Sequence, residues 1–256
     1  MSRRSRPFRL RGLLAAGLLS TAVLTGCGGD DVDDEPRADS DAKAAETSGK
    51  EEEPEIDLTP GLLGVDDFGP AAVVTSVSRE ELEQGSDQAT SLAEGAQVTP
   101  AECNAALEKT QPDFADFEDV AAVSATEEST VVVEMIIHGG PVEGSVDQLA
   151  DAAVRCPQVQ VSSPQFGQAT AVFESLPVPD LGDGSAAVLY TTTVALPDGT
   201  EGSLPMLLGA VEDGNRLIFL TSLAVDPTGA AAAPLDTAAF TALLEQAYEK
   251  QADALD

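Results

Sequence analysis

The sequence predicts an α+β domain: an antiparallel β-sheet flanked by helices, closed by one disulfide and preceded by a signal peptide and a disordered acidic linker. Three observations carry this. Short apolar runs punctuated by Gly, Pro and Asp fill the chain beyond Gly61, several helix starts show capping chemistry, and the three cysteines divide into one near the N-terminus and two in the body.

The first segment is basic and then apolar. Arg3, Arg4, Arg6, Arg9 and Arg11 precede any acid, since the first is Asp30, and an apolar run from Leu13 to Leu24 follows. Twelve helical residues reach about 18 Å, short of a hydrocarbon core of roughly 30 Å. This is the pattern of a secretory signal peptide over residues 1–26. Its end, Leu24-Thr25-Gly26-Cys27, resembles the lipobox of bacterial lipoproteins. That resemblance implies a diacylglycerol on the Cys27 thiol, cleavage before Cys27 and a mature chain that starts there. Two or more acyl chains anchor stably where one does not, at about 0.8 kcal/mol per buried CH₂. An ordinary secretory cleavage beside a coincidental cysteine is the plainer alternative. Arg3-Arg4 also raises the twin-arginine export route, although Arg6 stands where that signal usually has Phe.

Residues 27–60 follow as a lipidated cysteine and an acidic tether. Between Gly28 and Pro60 stand thirteen acids, three bases and no aromatic residue. Such a segment buries too little apolar surface to offset the entropy of ordering, so a solvated stalk is expected, with a reach of roughly 30 Å. A tail for cations or basic partners is the other meaning of a charge run.

Residues 61–256 read as one domain. Strands are predicted at Pro70–Val77, Asp119–Ala125, Thr130–Ile137, Val159–Ser162, Ala169–Leu176, Ala186–Leu196, Ser203–Val211 and Arg216–Val225, where β-branched and apolar residues collect between turn formers. Pro197-Asp198-Gly199 and Asp213-Gly214-Asn215 are hairpin turns, so the last three strands form an antiparallel meander. Ser78–Glu81 opens a short helix. Thr99-Pro100-Ala101-Glu102 has the form of a capping box with Pro at the first helical position, and Ser145–Gln148 opens a further helix. The last helix starts near Asp236. It places Phe240, Leu243, Leu244, Ala247 and Tyr248 on one face, which is expected to be core.

With Cys27 assigned to lipid, Cys103 and Cys156 remain and are expected to pair in an exported protein. Free or metal-bound thiols are the alternative, but two cysteines and one histidine make an incomplete zinc set. No metal and no cofactor are expected.

Composition limits function. The chain has 256 residues, 45 acidic and 13 basic, for a net charge of −32. This charge repels phosphate backbones, so no nucleic-acid partner is expected. His138-Gly139-Gly140 suggests an esterase oxyanion loop, but a Gly-x-Ser-x-Gly elbow is absent from the sequence. A structural histidine is the expectation. Acid pairs arise by chance among 32 domain acids, and no Trp offers a sugar platform. Asp180-Leu181-Gly182-Asp183-Gly184 lacks EF-hand spacing. The strip Leu204-Pro205-Met206-Leu207-Leu208 suits either a pocket wall or core, with core expected. Pro164, Phe166 and Gly167 suit either a lid or a plain turn.

Leu62-Leu63 with Asp66 after the tether, Thr99-Pro100-x-Glu102-Cys103 opening one helix and Val154-Arg155-Cys156-Pro157 closing another resemble the extracellular sensor domain of PknH-type mycobacterial kinases, a domain also found in actinobacterial lipoproteins. The resemblance covers residues 61–256. It implies an antiparallel sheet flanked by helices, with a cleft for a small ligand. The kinase sensor has two disulfides and this chain has cysteines for one, so no ligand-binding residue is carried over. The expected function is therefore a non-catalytic sensor or small-ligand-binding lipoprotein on the outer face of the cytoplasmic membrane. It would be held by lipid on Cys27, with an unknown small ligand or envelope protein as partner. A protein-interaction or envelope-assembly lipoprotein is the alternative. A deep apolar pocket marks the first, and a flat exposed apolar patch marks the second.

Overall fold

The structure is a computed structural model that describes residues 56–104, 114–165, 167–195, 200–224 and 234–255. All of these belong to the unit Glu52–Asp256. The signal peptide, the Leu24–Cys27 motif, most of the tether, the Pro197-Asp198-Gly199 turn and Phe166 lie outside the described residues.

Nine strands form one sheet: β1 (Val73–Val77), β2 (Gln97–Thr99), β3 (Asp119–Glu127), β4 (Thr130–His138), β5 (Gln158–Ser163), β6 (Gly167–Leu176), β7 (Gly184–Ala195), β8 (Glu201–Asp213) and β9 (Arg216–Ala224). Their order is β1-β3-β4-β9-β8-β7-β6-β5-β2, and every neighbouring pair is antiparallel. From β5 to β9 the chain runs up and down between adjacent strands, and β9 then docks against β4. The eight predicted strands are all present, and the meander of the last three is as expected. At Gly214-Asn215 a two-residue turn links Asp213 to its partner Arg216, with Gly214 in the left-handed region at φ 61°. Pro205 is tolerated within β8 because the pairing with β9 begins one residue later, at Met206.

Among the described residues the helices are α1 (Val65–Phe68), α2 (Arg79–Ala93), α3 (Ser145–Arg155) and α4 (Thr237–Leu255), and residues 102–104 are helical as well. Because side chains alternate across a strand, each sheet face is covered separately. On one face, Ile136, Leu207, Val211, Ile218 and Leu220 meet Phe240, Leu244 and Ala247 of α4. On the other, Met135, Ile137, Val188, Ala210 and Leu217 meet Val146, Leu149 and Ala153 of α3. Burial on both faces explains the near-continuous apolar run in β4. Gly209 sets the approach of α4: a Cβ there would lie 2.9 Å from Leu244 Cδ2 and 3.1 Å from Phe240 Cε1.

Several local expectations need correction. The packed body begins before Gly61, since Leu58 is buried and Thr59–Gly61 forms a 3-10 turn against the α4 face. Thr99 ends β2, paired with Gln160, and the helical turn begins at residue 102. β2 itself escaped prediction because three residues are too few to show a period of two. The helix opened by Ser78–Glu81 is fifteen residues long, and its capping box is present: Glu81 Oε2 accepts from Ser78 N–H at 2.8 Å. Ser145 does not cap α3. The cap position is Gly144, at φ 81°, and the Val146 N–H donates to Glu212 Oε1 at 2.8 Å. A carboxylate from β8 thus replaces the local hydroxyl, and its charge also complements the helix N-terminus.

Candidate functional site

The Cys103–Cys156 bond is formed, with a Cα–Cα distance of 5.8 Å. It lies in a small core of its own with Val159 and Ala171, where both cysteines are buried. The bond joins the segment after β2 to the C-terminal end of α3. β2 is an edge strand with one partner, β5, so this covalent link anchors an edge that little else holds.

His138 is buried at the end of β4, with both ring nitrogens engaged. Nδ1 lies 3.2 Å from Asp119 Oδ2, and Nε2 lies 2.7 Å from Asn215 Nδ2. An amide NH₂ only donates, so Nε2 accepts from Asn215 and Nδ1–H donates to Asp119 in the neutral ring. These bonds tie the ends of β3, β4 and the β8–β9 turn together. Of the other residues singled out in the sequence, Asp183, Leu207 and Leu208 serve the fold. Asp183 Oδ2 accepts from Gly214 N–H at 2.8 Å. Leu207 is core, Leu208 packs on the opposite face and Leu204 is exposed. Gly167 opens β6 opposite Ser163.

A site that sequence reasoning did not single out lies between the N-terminal half of α4 and the end of the sheet formed by β3, β4 and β9. It is a cavity of about 420 Å³, within the range of small-molecule pockets. Its position follows from local chemistry. Asp236 Oδ1 accepts from the N–H groups of Ala238 and Ala239, both at 3.0 Å, which starts α4 where the sequence predicted. Phe240 and Leu243, one turn on, form the helix wall, and Phe68 of α1 forms another. The floor is set by register. Ala125, Val132 and Ser222 stand side by side on β3, β4 and β9, and Glu127 and Thr130 stand one row further out.

Among the described residues, three carboxylates line this cavity, from Asp67, Glu127 and Asp236, and no Lys, Arg or His does. Two are engaged. Asp236 caps α4, and Asp67 accepts from Lys250 Nζ at 2.8 Å, Gly64 N–H at 2.6 Å and Gln246 Nε2 at 2.6 Å. Partial burial alone would raise the Asp67 carboxyl, but these bonds outweigh it and hold the group below its usual range. Glu127 is exposed and has no hydrogen-bond partner among the described residues. Ser222 is buried, at 5% exposure, and likewise has none.

Next to the cavity, deeper under α4, lies Glu134. It is fully buried on the same face of β4 as Val132 and Ile136, and its Oε2 accepts from Leu63 N–H at 2.7 Å. Burial pushes its pKa up to about 7, against the opposing effects of the Leu63 bond and Lys250 and with some help from Asp67. Oε1 of Glu134 and Oε1 of the equally buried Gln251 have no partner among the described residues. A carboxyl inside a β-branched run gave no sequence signal of its own, because its partner is 71 residues away.

The class defined by this geometry is an all-antiparallel sheet between two helical layers, with a cavity beneath its last helix. It is similar to the extracellular domain of PknH from Mycobacterium tuberculosis, with 10% identity over 76% of this chain and 94% of that one at a TM-score of 0.45. It is also similar to an uncharacterized protein of Mycobacterium smegmatis, the Rv0999 ortholog, with 16% identity over 72% of this chain and 91% of that one at a TM-score of 0.44. No family model and no curated protein matches the chain.

Proposed function

We infer that this protein is an exported lipoprotein, anchored through Cys27 to the outer face of the cytoplasmic membrane, whose domain binds a small ligand in the cavity beneath α4. The observation that carries the reading is a cavity of about 420 Å³ walled by Phe68, Phe240 and Leu243, with Ser222, which has no hydrogen-bond partner among the described residues, on its floor. A hydroxyl that lines a cavity and has no protein partner offers a ligand one hydrogen bond. The Cys103–Cys156 bond supports an oxidising compartment. Among the described residues no helix is long and apolar enough to cross a membrane, and a lipid on Cys27 supplies the attachment in this reading. The docking alternative has less support. Among the described residues, the exposed large hydrophobic residues are Ile56, Val65, Val73, Leu92, Val154, Val172 and Leu204, no two of them on one helix or strand.

Native mass spectrometry of the full chain extracted from its own cells tests both halves. A diacylglycerol adduct on Cys27 and a retained small molecule are expected. An unmodified Cys27 would remove the anchor, and an empty protein whose cavity takes up no small molecule would remove the ligand.

A further inference from the structure

We propose that the cavity selects a small amphipathic cation: an apolar body between Phe68 and Leu243, an ammonium group at the rim and a polar atom that meets Ser222. This rests on the ligand-binding reading above and adds the chemical class. The cavity itself supplies two independent arguments.

The first is charge. Among the described residues the rim carries three carboxylates and no cationic residue, so an anionic ligand would meet repulsion from the ionised groups it faces there. Asp67 is already balanced by Lys250, and Asp236 is committed to the helix cap. Glu127 has no such commitment and is the group free to pair with an incoming ammonium. The surroundings act in the same direction: beyond residue 60 the chain has 32 acids and five bases. That excess raises the local concentration of cations around the cavity.

The second is the hydroxyl on the cavity floor. Ser222 lies on the α4 side of β9, in register with Val132 and Ala125, and is nineteen-twentieths buried without a partner. Strand spacing and rise put its Cα roughly 12 Å from that of Glu127. Once the two side chains are counted, a single ring with a two-carbon arm spans that distance. The apolar lining between them accepts the ring.

The test uses three probes that differ in one head group: tyramine, its neutral alcohol analogue tyrosol, and 4-hydroxyphenylacetate. Binding is measured by calorimetry on the full chain carrying Cys27→Ser, and on the same chain with Glu127→Gln or Ser222→Ala. Tyramine is expected to bind about tenfold more tightly than tyrosol, the size of one partly screened ion pair, with the carboxylate weakest. Glu127→Gln should shrink the preference for tyramine to about threefold or less. Ser222→Ala should weaken all three probes by a similar factor, about threefold, while leaving the unfolding temperature nearly unchanged, because the hydroxyl bonds no other described residue. Equal affinity for tyramine and tyrosol, or tighter binding of the carboxylate, overturns the charge selection and leaves the cavity reading standing. Binding that neither substitution alters places the probes elsewhere and overturns the proposal. Failure of all three probes to bind overturns it as well. The cavity reading is then judged separately by the native mass measurement, where a retained neutral or anionic molecule would keep the cavity as a ligand site and deny it this ligand class.

Discussion

Glu134 shows how a single side chain can set a pH response. Its carboxyl titrates near 7 in the folded protein because burial penalises the charge, against 4.5 for the free group. Between these values the folded state holds a proton that the unfolded state has released. Stability from this group is therefore fully present below about pH 4.5, falls as pH rises towards 7 and levels off above it. The gap corresponds to roughly 3 kcal/mol. Glu134→Gln keeps an acceptor for the Leu63 N–H and has no charge to bury. Urea unfolding at pH 5 and pH 8 is expected to show the wild type losing stability across that interval and Glu134→Gln losing much less. Asp67 responds in the opposite sense. Its lowered pKa means that its contribution is present above the ordinary carboxylate range and is lost as pH falls through it. Asp67→Asn should therefore flatten the acid limb of the stability curve, read from unfolding midpoints between pH 5 and pH 2.

At the level of elements, helix starts show where local chemistry is enough and where it is not. α2 and α4 begin at Ser78 and Asp236, whose side chains accept from the first turn, and both starts were legible in a window of four residues. α3 begins at Gly144 instead, and its first turn is satisfied by Glu212 from β8, 66 residues away. Glu212→Ala is expected to cost about 1 kcal/mol and to raise amide exchange in the first turn of α3, whereas Glu212→Gln, which retains an acceptor, should cost less. Packing gives larger effects. Leu244 is completely buried between α4 and the sheet, so Leu244→Ala should cost about 2–5 kcal/mol in denaturant unfolding. It would also loosen the helix wall that Phe240 and Leu243 present to the cavity.

For the whole molecule, the Cys103–Cys156 bond is the largest single constraint. It closes a loop with a sequence separation of 53 that contains β3, β4 and α3. The chain-entropy account assigns roughly 4 kcal/mol to such a closure. Replacing both cysteines by Ala is expected to lower the unfolding midpoint accordingly, and hydrogen exchange should rise first in β2, an edge strand paired only with β5. Two reactive thiols in the denatured, unreduced protein would show that the bond does not form in the cell. By itself the sequence determined eight of the nine strands, the antiparallel meander of the last three, the capped starts of α2 and α4, the apolar stripe of α4 and the cysteine pair. Each of these depends on periodicity, turn chemistry or elimination within the chain. Only the tertiary structure decided that β9 docks on β4, that Glu212 caps α3, that Glu134 is buried against Leu63 and that Ser222 and Glu127 share a cavity. Those pairings join residues far apart in sequence, and strand order and register, which no local window contains, bring them together.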